Sequence, residues 1–348
     1  MSNETLASLG WRNFFQQQLS LEELEVLSPV RVMGVERSEL HLAGEHGSSK
    51  LSLEALGQPA ANLDRPTVGD WLLLDPQSTK VERLLDRQSL IKRRAAGERS
   101  TEQLIAANID TLLIVSSCNA DFNLSRIERY LALAFEAQTT PVIVLTKADR
   151  CEDPQSYEAQ AQALHSSCVV VSLNALAPSS AEVLAPWCGR GQTLALLGSS
   201  GVGKSTLVNC LMASEVAATG GIREADAKGR HTTTNRSLHQ LPNGSLVLDS
   251  PGMRELQLTD VRAGLDTLFE DIEQLAQQCR FGDCQHASEP DCAIQQAINE
   301  GQLDARRLGN YQKLLREEAH NNMTIAERHA KARAFAKQVK QHKKPDRG

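Results

Sequence analysis

A glycine-rich stretch carries the clearest chemical signal in this sequence of 348 residues. It reads GSSGVGKST, follows the apolar run TLALLG and precedes the helix-like run TLVNCLM, which is the context that a phosphate-binding loop requires. In such a loop the backbone N–H groups surround the phosphates, Lys204 neutralises their oxygens and the Ser205 hydroxyl ligates Mg²⁺. The residues predicted to bind phosphate are Gly198, Ser199, Ser200, Gly201, Val202, Gly203, Lys204, Ser205 and Thr206.

Two later segments could complete the site around the terminal phosphate and its metal ion. Asp249 lies at the end of the apolar run SLVLDS, where a carboxylate can hold the water shell of Mg²⁺, and Gly252 can offer its N–H to the γ-phosphate. A D-x-x-G sequence after a strand and a phosphate loop is typical of GTPases. Residues 232–234 are all threonine, and we favour Thr233 as the Mg²⁺ ligand beside Ser205; the alternative is a flexible threonine-rich loop.

An incomplete base-recognition motif lies upstream of the phosphate loop. Lys147, Ala148 and Asp149 follow the apolar run PVIVLT, as in the segment by which many GTPases recognise guanine. Thr146 stands where an asparagine is expected, and the segment precedes the phosphate loop, whereas in ordinary GTPases it lies far downstream. The segment is therefore either a guanine-binding loop in a rearranged chain or a turn that imitates one.

A second kind of chemistry is indicated by four metal-ligating side chains with the spacing C-x₄-C-x-H-x₅-C, namely Cys279, Cys284, His286 and Cys292. Three thiolates and one imidazole form a closed tetrahedral set, which predicts one structural Zn²⁺ per chain. The alternative is chance clustering of three of the eight cysteines. The five other cysteines are scattered, and we expect them to be buried thiols in a reducing compartment: Cys118, Cys151, Cys168, Cys188 and Cys210.

Five apolar runs must position the nucleotide motifs. They are continuous and rich in Val, Ile and Leu, which predicts strands of a parallel sheet that is buried on both faces. Helix-like stretches lie between some of them, so we expect a doubly wound α/β domain over residues 104–257. The runs are TLLIVSS (111–117), PVIVLT (141–146), CVVVS (168–172), TLALLG (193–198) and SLVLDS (245–250).

The remaining chain divides by texture. Residues 1–28 predict a short helical extension, and short alternating runs over 29–92 predict a small β-barrel of oligonucleotide-binding (OB) type, which periodicity alone does not separate from an SH3-like barrel. Residues 92–103 form a polar, basic linker. Residues 258–327 predict a helical domain around the metal ligands, and 328–348 a basic tail.

Charge and hydropathy limit the class of protein. No apolar run is long enough to span a membrane, and we expect neither a signal peptide nor a membrane contact. The net charge of −6 excludes a uniformly basic nucleic-acid binder. Basic residues are nevertheless concentrated in 83–99 and 328–348, which favours a polyanionic partner or, alternatively, a solvated basic face. We expect a cytoplasmic protein.

The order of these motifs resembles that of the circularly permuted, ribosome small-subunit-dependent GTPases, the RsgA/YjeQ family. The resemblance rests on the barrel, TKAD, VVVSLNA, the phosphate loop, GRHTTT, DSPG and the cysteine–histidine spacing. It implies a multidomain α/β protein with an N-terminal OB-type β-barrel, a circularly permuted P-loop GTPase domain and a C-terminal helical zinc-binding domain. It also implies a monomeric GTPase that acts late in maturation of the 30S subunit, is stimulated by that subunit, and has GTP/GDP, Mg²⁺ and 16S rRNA as partners.

The resemblance also implies roles for individual residues. Thr146, Lys147, Ala148 and Asp149 would bind guanine, and Asp149 can accept both N1–H and N2–H, which adenine cannot supply. Ser172 and its neighbour would close over the base, although Leu173 stands where the family usually has alanine. The four zinc ligands carry over unchanged.

The catalytic group is expected to be unusual. Met253 occupies the position at which Ras-type enzymes carry a water-orienting glutamine, so we expect slow intrinsic hydrolysis. The missing function would come from His231, which could orient or deprotonate water near neutral pH, or from the partner.

Two other functions remain compatible with these motifs. One is an RNA-binding protein in which GTP is a switch and turnover is incidental. The other is an ATP-dependent phosphotransferase built on the same loop, which Asp149 disfavours because a carboxylate left unpaired by adenine discriminates strongly against it.

Overall fold

The computed structural model describes residues 5–56, 65–94, 102–213, 236–249 and 260–322. Within these ranges lie thirteen strands: β1 Ser28–Val35, β2 Glu39–Gly44, β3 Gly47–Ser52, β4 Trp71–Leu74, β5 Val81–Leu84, β6 Leu90–Arg94, β7 Glu102–Ala107, β8 Thr111–Ser117, β9 Thr140–Thr146, β10 Val169–Ser172, β11 Thr193–Leu197, β12 Arg236–Gln240 and β13 Leu246–Asp249. They also contain ten α-helices: α1 Asn13–Gln16, α2 Leu21–Val26, α3 Leu124–Glu136, α4 Pro154–Gln162, α5 Ser179–Leu184, α6 Lys204–Ala213, α7 Arg262–Leu268, α8 Glu270–Ala276, α9 Ala293–Asn299 and α10 Ala305–Asn322.

The central sheet has the strand order β10-β9-β8-β11-β13-β12. The first five of these strands are the five predicted apolar runs, and each pairs in parallel with its neighbour. Every residue of β8 and β11 is buried, as expected for strands that are covered on both faces. β12 closes this part of the sheet antiparallel to β13.

Local capping determines where the helices that follow β8 and β9 begin. The Asn123 side chain accepts a hydrogen bond from the N–H of Arg126 and so begins α3, which buries Ile127 and Leu131 against the strands. Asp153 caps α4 in the same way, and Pro154 occupies the first turn, where its missing N–H costs nothing. These two helices follow β8 and β9, so their N-termini lie near the carboxyl ends of those strands.

The N-terminal strands pair antiparallel in the order β3-β2-β1-β4-β5, around an apolar cluster that includes Val32, Leu40 and Leu72. β1 also pairs with β12, through Gly34 opposite Ser237, so the N-terminal strands and the central sheet form one hydrogen-bonded system. The strands of the predicted N-terminal barrel are therefore present, and their pairing continues into the central sheet.

The N-terminal extension packs onto this junction. Trp11 and Phe15 lie against Trp71, with ring centroids 4.8 and 5.7 Å away. The buried guanidinium of Arg31 donates to the carbonyl oxygens of Leu9 (2.5 Å) and Asn108 (3.1 Å), and burial lowers its pKa to about 10. Because these acceptors come from the extension and from the start of the central sheet, Arg31 fastens both to the N-terminal strands.

The fold corrects two sequence-based expectations. The predicted linker 92–103 is not wholly irregular, because its ends belong to β6 and β7, which form a two-stranded sheet. Its charged residues interrupt the apolar pattern by which a strand is recognised in the sequence. Arg93 Nε donates to Gln103 Oε1 across the ribbon at 2.9 Å. Of the five scattered cysteines, Cys151 and Cys210 are only partly buried, whereas the other three are buried.

A second compact unit comprises residues 93–103 and 257–348, while residues 1–92 and 104–256 form the first. Residues 260–322 of the second unit are largely helical, with Leu265, Phe269 and Ile294 buried and the Phe269 and Tyr311 rings 4.9 Å apart. The predicted boundaries at 28/29, 92, 104, 257/258 and 327/328 remain predictions. Among the described helices, none is long and apolar enough to cross a membrane.

Candidate functional site

The phosphate loop connects β11 to α6 at the carboxyl edge of the sheet, where open α/β sheets bind their ligands. Gly198 has φ +154° and lies so close to β8 that a Cβ atom would stand 2.3 Å from the carbonyl oxygen of Val115. Gly203 has φ +99°, which also favours glycine. The strand before the loop and the helix after it are those that the motif requires.

Lys204 holds the inner side of this loop. Its Nζ donates to the carbonyl oxygens of Gly198 (2.7 Å) and Ser199 (2.5 Å), so its charge lies within the curve of the loop. Ser205 follows in the first turn of α6 with an exposed side chain. The N-terminus of α6 and the lysine charge together suit an anion such as a phosphate.

The predicted base-recognition segment, Thr146 to Asp149, lies directly beside the phosphate loop. β9 ends at Thr146, whose buried Oγ1 lies 3.1 Å from the carbonyl oxygen of Ser116 and 2.5 Å from that of Val202. Lys147 adopts a left-handed conformation, with φ 60°, and its Nζ donates to the carbonyl oxygen of Gly201 at 2.9 Å. Two segments that are more than 50 residues apart in the chain are thus joined by side-chain hydrogen bonds.

Asp149 and Ser172 occupy neighbouring strand ends. Asp149 lies in a short 3-10 turn with a carboxylate that is 38% exposed, and its ion pair with Arg150 is long, at 3.9 Å. Ser172 ends β10, and its hydroxyl donates to the carboxylate of Glu158. Leu173 is buried in the core of the sheet, so the leucine at this position is used for packing.

The γ-phosphate side of the site is described only in part. Asp249 is the last residue of β13, which pairs with β11, so its exposed carboxylate lies at the same edge of the sheet as the phosphate loop. His231, Thr233 and Gly252 lie outside the described residues. Their roles in catalysis, Mg²⁺ binding and γ-phosphate binding remain predictions.

Sequence reasoning missed two charged residues at this site. Asp121 and Arg126 both contact the Ser199 hydroxyl of the phosphate loop. They follow β8, which lies next to β11 in the sheet. The only available signal was that polar residues after adjacent parallel strands meet at one edge, and it depends on knowing the strand order.

The four predicted zinc ligands converge in the second unit, where their ligand atoms all lie within 4.8 Å of one another. Cys279 Sγ lies 3.6 Å from His286 Nδ1 and 3.9 Å from Cys292 Sγ, and Cys292 Sγ lies 3.6 Å from His286 Nδ1. A tetrahedral zinc centre with ordinary bond lengths has S···S edges of about 3.8 Å and S···N edges of about 3.5 Å. The side chains present therefore fit Zn²⁺, with Cys284 as the fourth ligand.

The backbone around these ligands is held in place by Glu289. Its carboxylate accepts hydrogen bonds from the N–H groups of Gln285 (2.8 Å), Ala287 (2.8 Å) and Ser288 (3.0 Å). These bonds, led by the one from Gln285, lower the pKa of Glu289 to about 2. The segment that carries His286 is therefore shaped by a side chain that is not itself a ligand.

Comparisons with known proteins agree with this arrangement. The family model described as RsgA GTPase matches residues 84–259. The chain is 53% identical over 96% of its length to "Small ribosomal subunit biogenesis GTPase RsgA 2" of Vibrio vulnificus, covering 93% of that protein. It is 52% identical over 92% of its length to "Small ribosomal subunit biogenesis GTPase RsgA" of Mesorhizobium japonicum, covering 92% of it.

Solved structures support the fold. The chain is similar to the crystal structure of YjeQ from Thermotoga maritima, with a TM-score of 0.61 over 84% of this chain and 98% of that one, at 23% identity. It is also similar to YloQ, a circularly permuted GTPase, with a TM-score of 0.56. A model described as ABC transporter matches residues 187–346, a segment that contains the phosphate loop, which many nucleotide-binding families share. The predicted fold class is confirmed.

Proposed function

Because the chain belongs to the RsgA GTPase family, we propose that it hydrolyses GTP in a late step of small ribosomal subunit maturation and that the 30S subunit stimulates this hydrolysis. One structural observation carries the part of the proposal that concerns guanine nucleotides. The guanine-recognition segment contacts the phosphate loop through Thr146 and Lys147, although it precedes that loop in the chain. These contacts are expected of a segment that takes part in nucleotide binding, whereas a turn that only resembles the motif does not require them.

Asp149 supplies the specificity for guanine. Its partly exposed carboxylate can accept the N1–H and N2–H groups of guanine, whereas adenine would leave it without donors. The Lys147 alkyl chain extends from the end of β9 to the phosphate loop, so base and phosphates are recognised by adjoining segments. This arrangement supports GTP over ATP and disfavours the phosphotransferase alternative.

The loop Gly198 to Thr206 would bind the phosphates. Ser205 and Thr233 would hold Mg²⁺, and Asp249 would bind a water molecule in the hydration shell of this ion. When bound, Mg²⁺ neutralises charge on the β- and γ-phosphate oxygens. Met253 has no group that could orient water, so His231 is the candidate within this chain for that role, and the ribosome is the alternative source.

Contact with 16S rRNA is proposed through the basic tail 328–348, which holds eight basic residues against one acidic residue. The basic stretch 83–99 offers less positive charge for RNA binding than its composition suggests. Arg83 pairs with Glu23 at 2.7 Å, and Arg87 pairs with the buried Asp70 at 2.8 Å, so two of its six basic residues are already neutralised.

The zinc centre would be structural, since four protein ligands leave no open position. We place the protein in the cytoplasm, where small subunits mature, and propose that it acts as a monomer.

The test is GTP hydrolysis by the purified full-length protein with and without 30S subunits, with 50S subunits as the control. We expect stimulation by 30S subunits alone. Equal rates in all three conditions would refute stimulation and favour the alternative of an RNA-binding GTP switch with incidental turnover. In a separate measurement of binding to 30S subunits, a chain without 328–348 should bind more weakly and with a flatter salt dependence.

His231→Ala separates the two sources of catalysis. Loss of stimulated turnover with retained GTP affinity supports His231 as the catalytic residue. Unchanged stimulated turnover assigns that role to the ribosome.

A further inference from the structure

A closed set of hydrogen bonds among three side chains holds Ser199, the second residue of the phosphate loop. The Ser199 hydroxyl donates to Asp121 Oδ2 at 2.7 Å, and its oxygen accepts from Arg126 Nη1 at 2.8 Å. Arg126 Nη1 also lies 3.1 and 3.2 Å from the two carboxylate oxygens of Asp121. We call this set the Ser199 clamp.

Well-ordered local structure positions both charged members of the clamp. Asp121 lies in the turn after β8, where its N–H donates to Asn119 Oδ1 at 2.9 Å, and the same oxygen accepts from Ser117 at 2.8 Å. Arg126 lies in the first turn of α3, where Asn123 caps its N–H. Because local hydrogen bonds fix these two elements, the Asp121 and Arg126 side chains can hold the loop in one position.

The charge balance of the clamp shows how it acts. Asp121 and Arg126 neutralise each other, so the pair adds no net attraction for a phosphate. The Ser199 hydroxyl and then the Arg126 guanidinium hold the pKa of the Asp121 carboxyl below its ordinary value, so the ion pair persists at neutral pH. The contribution of the pair must therefore be geometric.

We propose that Asp121 and Arg126 are positioning residues for nucleotide binding, because they fix Ser199 and with it the loop carbonyls that hold Lys204. Lys204 Nζ donates to the Gly198 and Ser199 carbonyl oxygens, so a rotation of Ser199 would displace the lysine charge. The loop is then held at two places, by this clamp and by the Thr146–Lys147 contacts. The proposal rests on the guanine-nucleotide binding proposed above and adds two residues to it.

The experiment measures GDP and GTP affinity in the absence of ribosomes, using Arg126→Ala, Ser199→Ala and the double variant. We expect each single variant to weaken binding of both nucleotides by about 3- to 10-fold, as for the loss of a partly exposed charged hydrogen bond. The double variant should bind no more weakly than the weaker single variant, because the three groups act as one unit. Arg126→Lys retains the positive charge and N–H donors but loses the planar guanidinium geometry, so it should give an intermediate affinity.

Arg37→Ala is the matched control, since it removes an exposed arginine from the turn between β1 and β2. Unfolding temperature without nucleotide and steady-state kinetics separate positioning from general stability. KM should rise while kcat stays within about 2-fold, because nucleotide binding is weakened and the hydrolytic groups are untouched.

Two results would overturn the proposal: a lower unfolding temperature with unchanged affinity, or losses that add in the double variant. Failure of the wild-type protein to bind guanine nucleotides would instead refute the proposed function. These outcomes are distinguishable because ribosomal stimulation plays no part in the affinity measurement.

Discussion

Replacement of Thr146 by asparagine should tighten nucleotide binding. The Thr146 hydroxyl has one hydrogen, but two carbonyl oxygens lie within reach, those of Val202 in the phosphate loop and Ser116 in β8. It can satisfy only one of them fully at a time. An asparagine amide has two N–H donors and could bond to both.

The size of the effect follows from the one hydrogen bond that is gained. A net contribution of about 0.5–1.5 kcal/mol corresponds to an affinity change of about 2- to 13-fold. The gain appears in affinity to the extent that the bond pre-organises the loop for the phosphates. Thr146→Val tests the opposite change, because it keeps the shape of the side chain and removes its hydroxyl donor. This variant should therefore weaken nucleotide binding by a similar factor.

The assay is a titration of each variant with a fluorescent GDP analogue, accompanied by the unfolding temperature of the nucleotide-free protein. Equal affinities for wild type and Thr146→Asn, with no change in unfolding temperature, would show that the backbone already fixes the loop. Weaker binding by Thr146→Asn would refute the hydrogen-bond argument, since the additional donor would then be harmful.

Two further predictions concern the zinc centre and the phosphate loop. Glu289→Ala should lower zinc affinity about 10- to 100-fold in a chelator competition, because three backbone N–H groups around His286 lose their acceptor; retention of zinc equal to wild type would contradict this. Gly198→Ala should abolish GDP binding in the titration above, because its Cβ would stand 2.3 Å from the Val115 carbonyl oxygen; measurable binding at wild-type affinity would show that the loop can shift.

The parts of the fold that the sequence predicted are those set by local physics. Continuous apolar runs predict buried parallel strands because neither face requires polar residues, and all five runs are strands of the central sheet. The convergence of the four predicted zinc ligands was predictable because Cys279 to Cys292 lie within one short segment. The β6–β7 ribbon was not, because its charged residues break the apolar pattern that identifies a strand.

Contacts between distant segments were the least predictable. Ser199 and Asp121 are 78 residues apart, and Ser199 and Arg126 are 73 apart. No local pattern links them, because the contact exists only through the pairing of β8 with β11. The burial of Leu173 was likewise missed, since a motif position gives no information about which way its side chain packs.

The permuted order of the motifs has little effect on the site, because a nucleotide contacts the edge of a sheet and not the order of the chain. β9 and β8 come before β11 in sequence, yet they lie beside it in the sheet order β9-β8-β11-β13. Their carboxyl ends present the base-recognition segment and the Ser199 clamp to the phosphate loop.

Permutation does change what the ends of this sheet are attached to. β12 follows the threonine-rich segment 232–234 within a few residues and pairs on its other side with β1, through Gly34 opposite Ser237 and Val35 opposite Arg236. A displacement of β12 would therefore have to break hydrogen bonds to the N-terminal strands, which couples those strands to the nucleotide-binding sheet through backbone pairing alone.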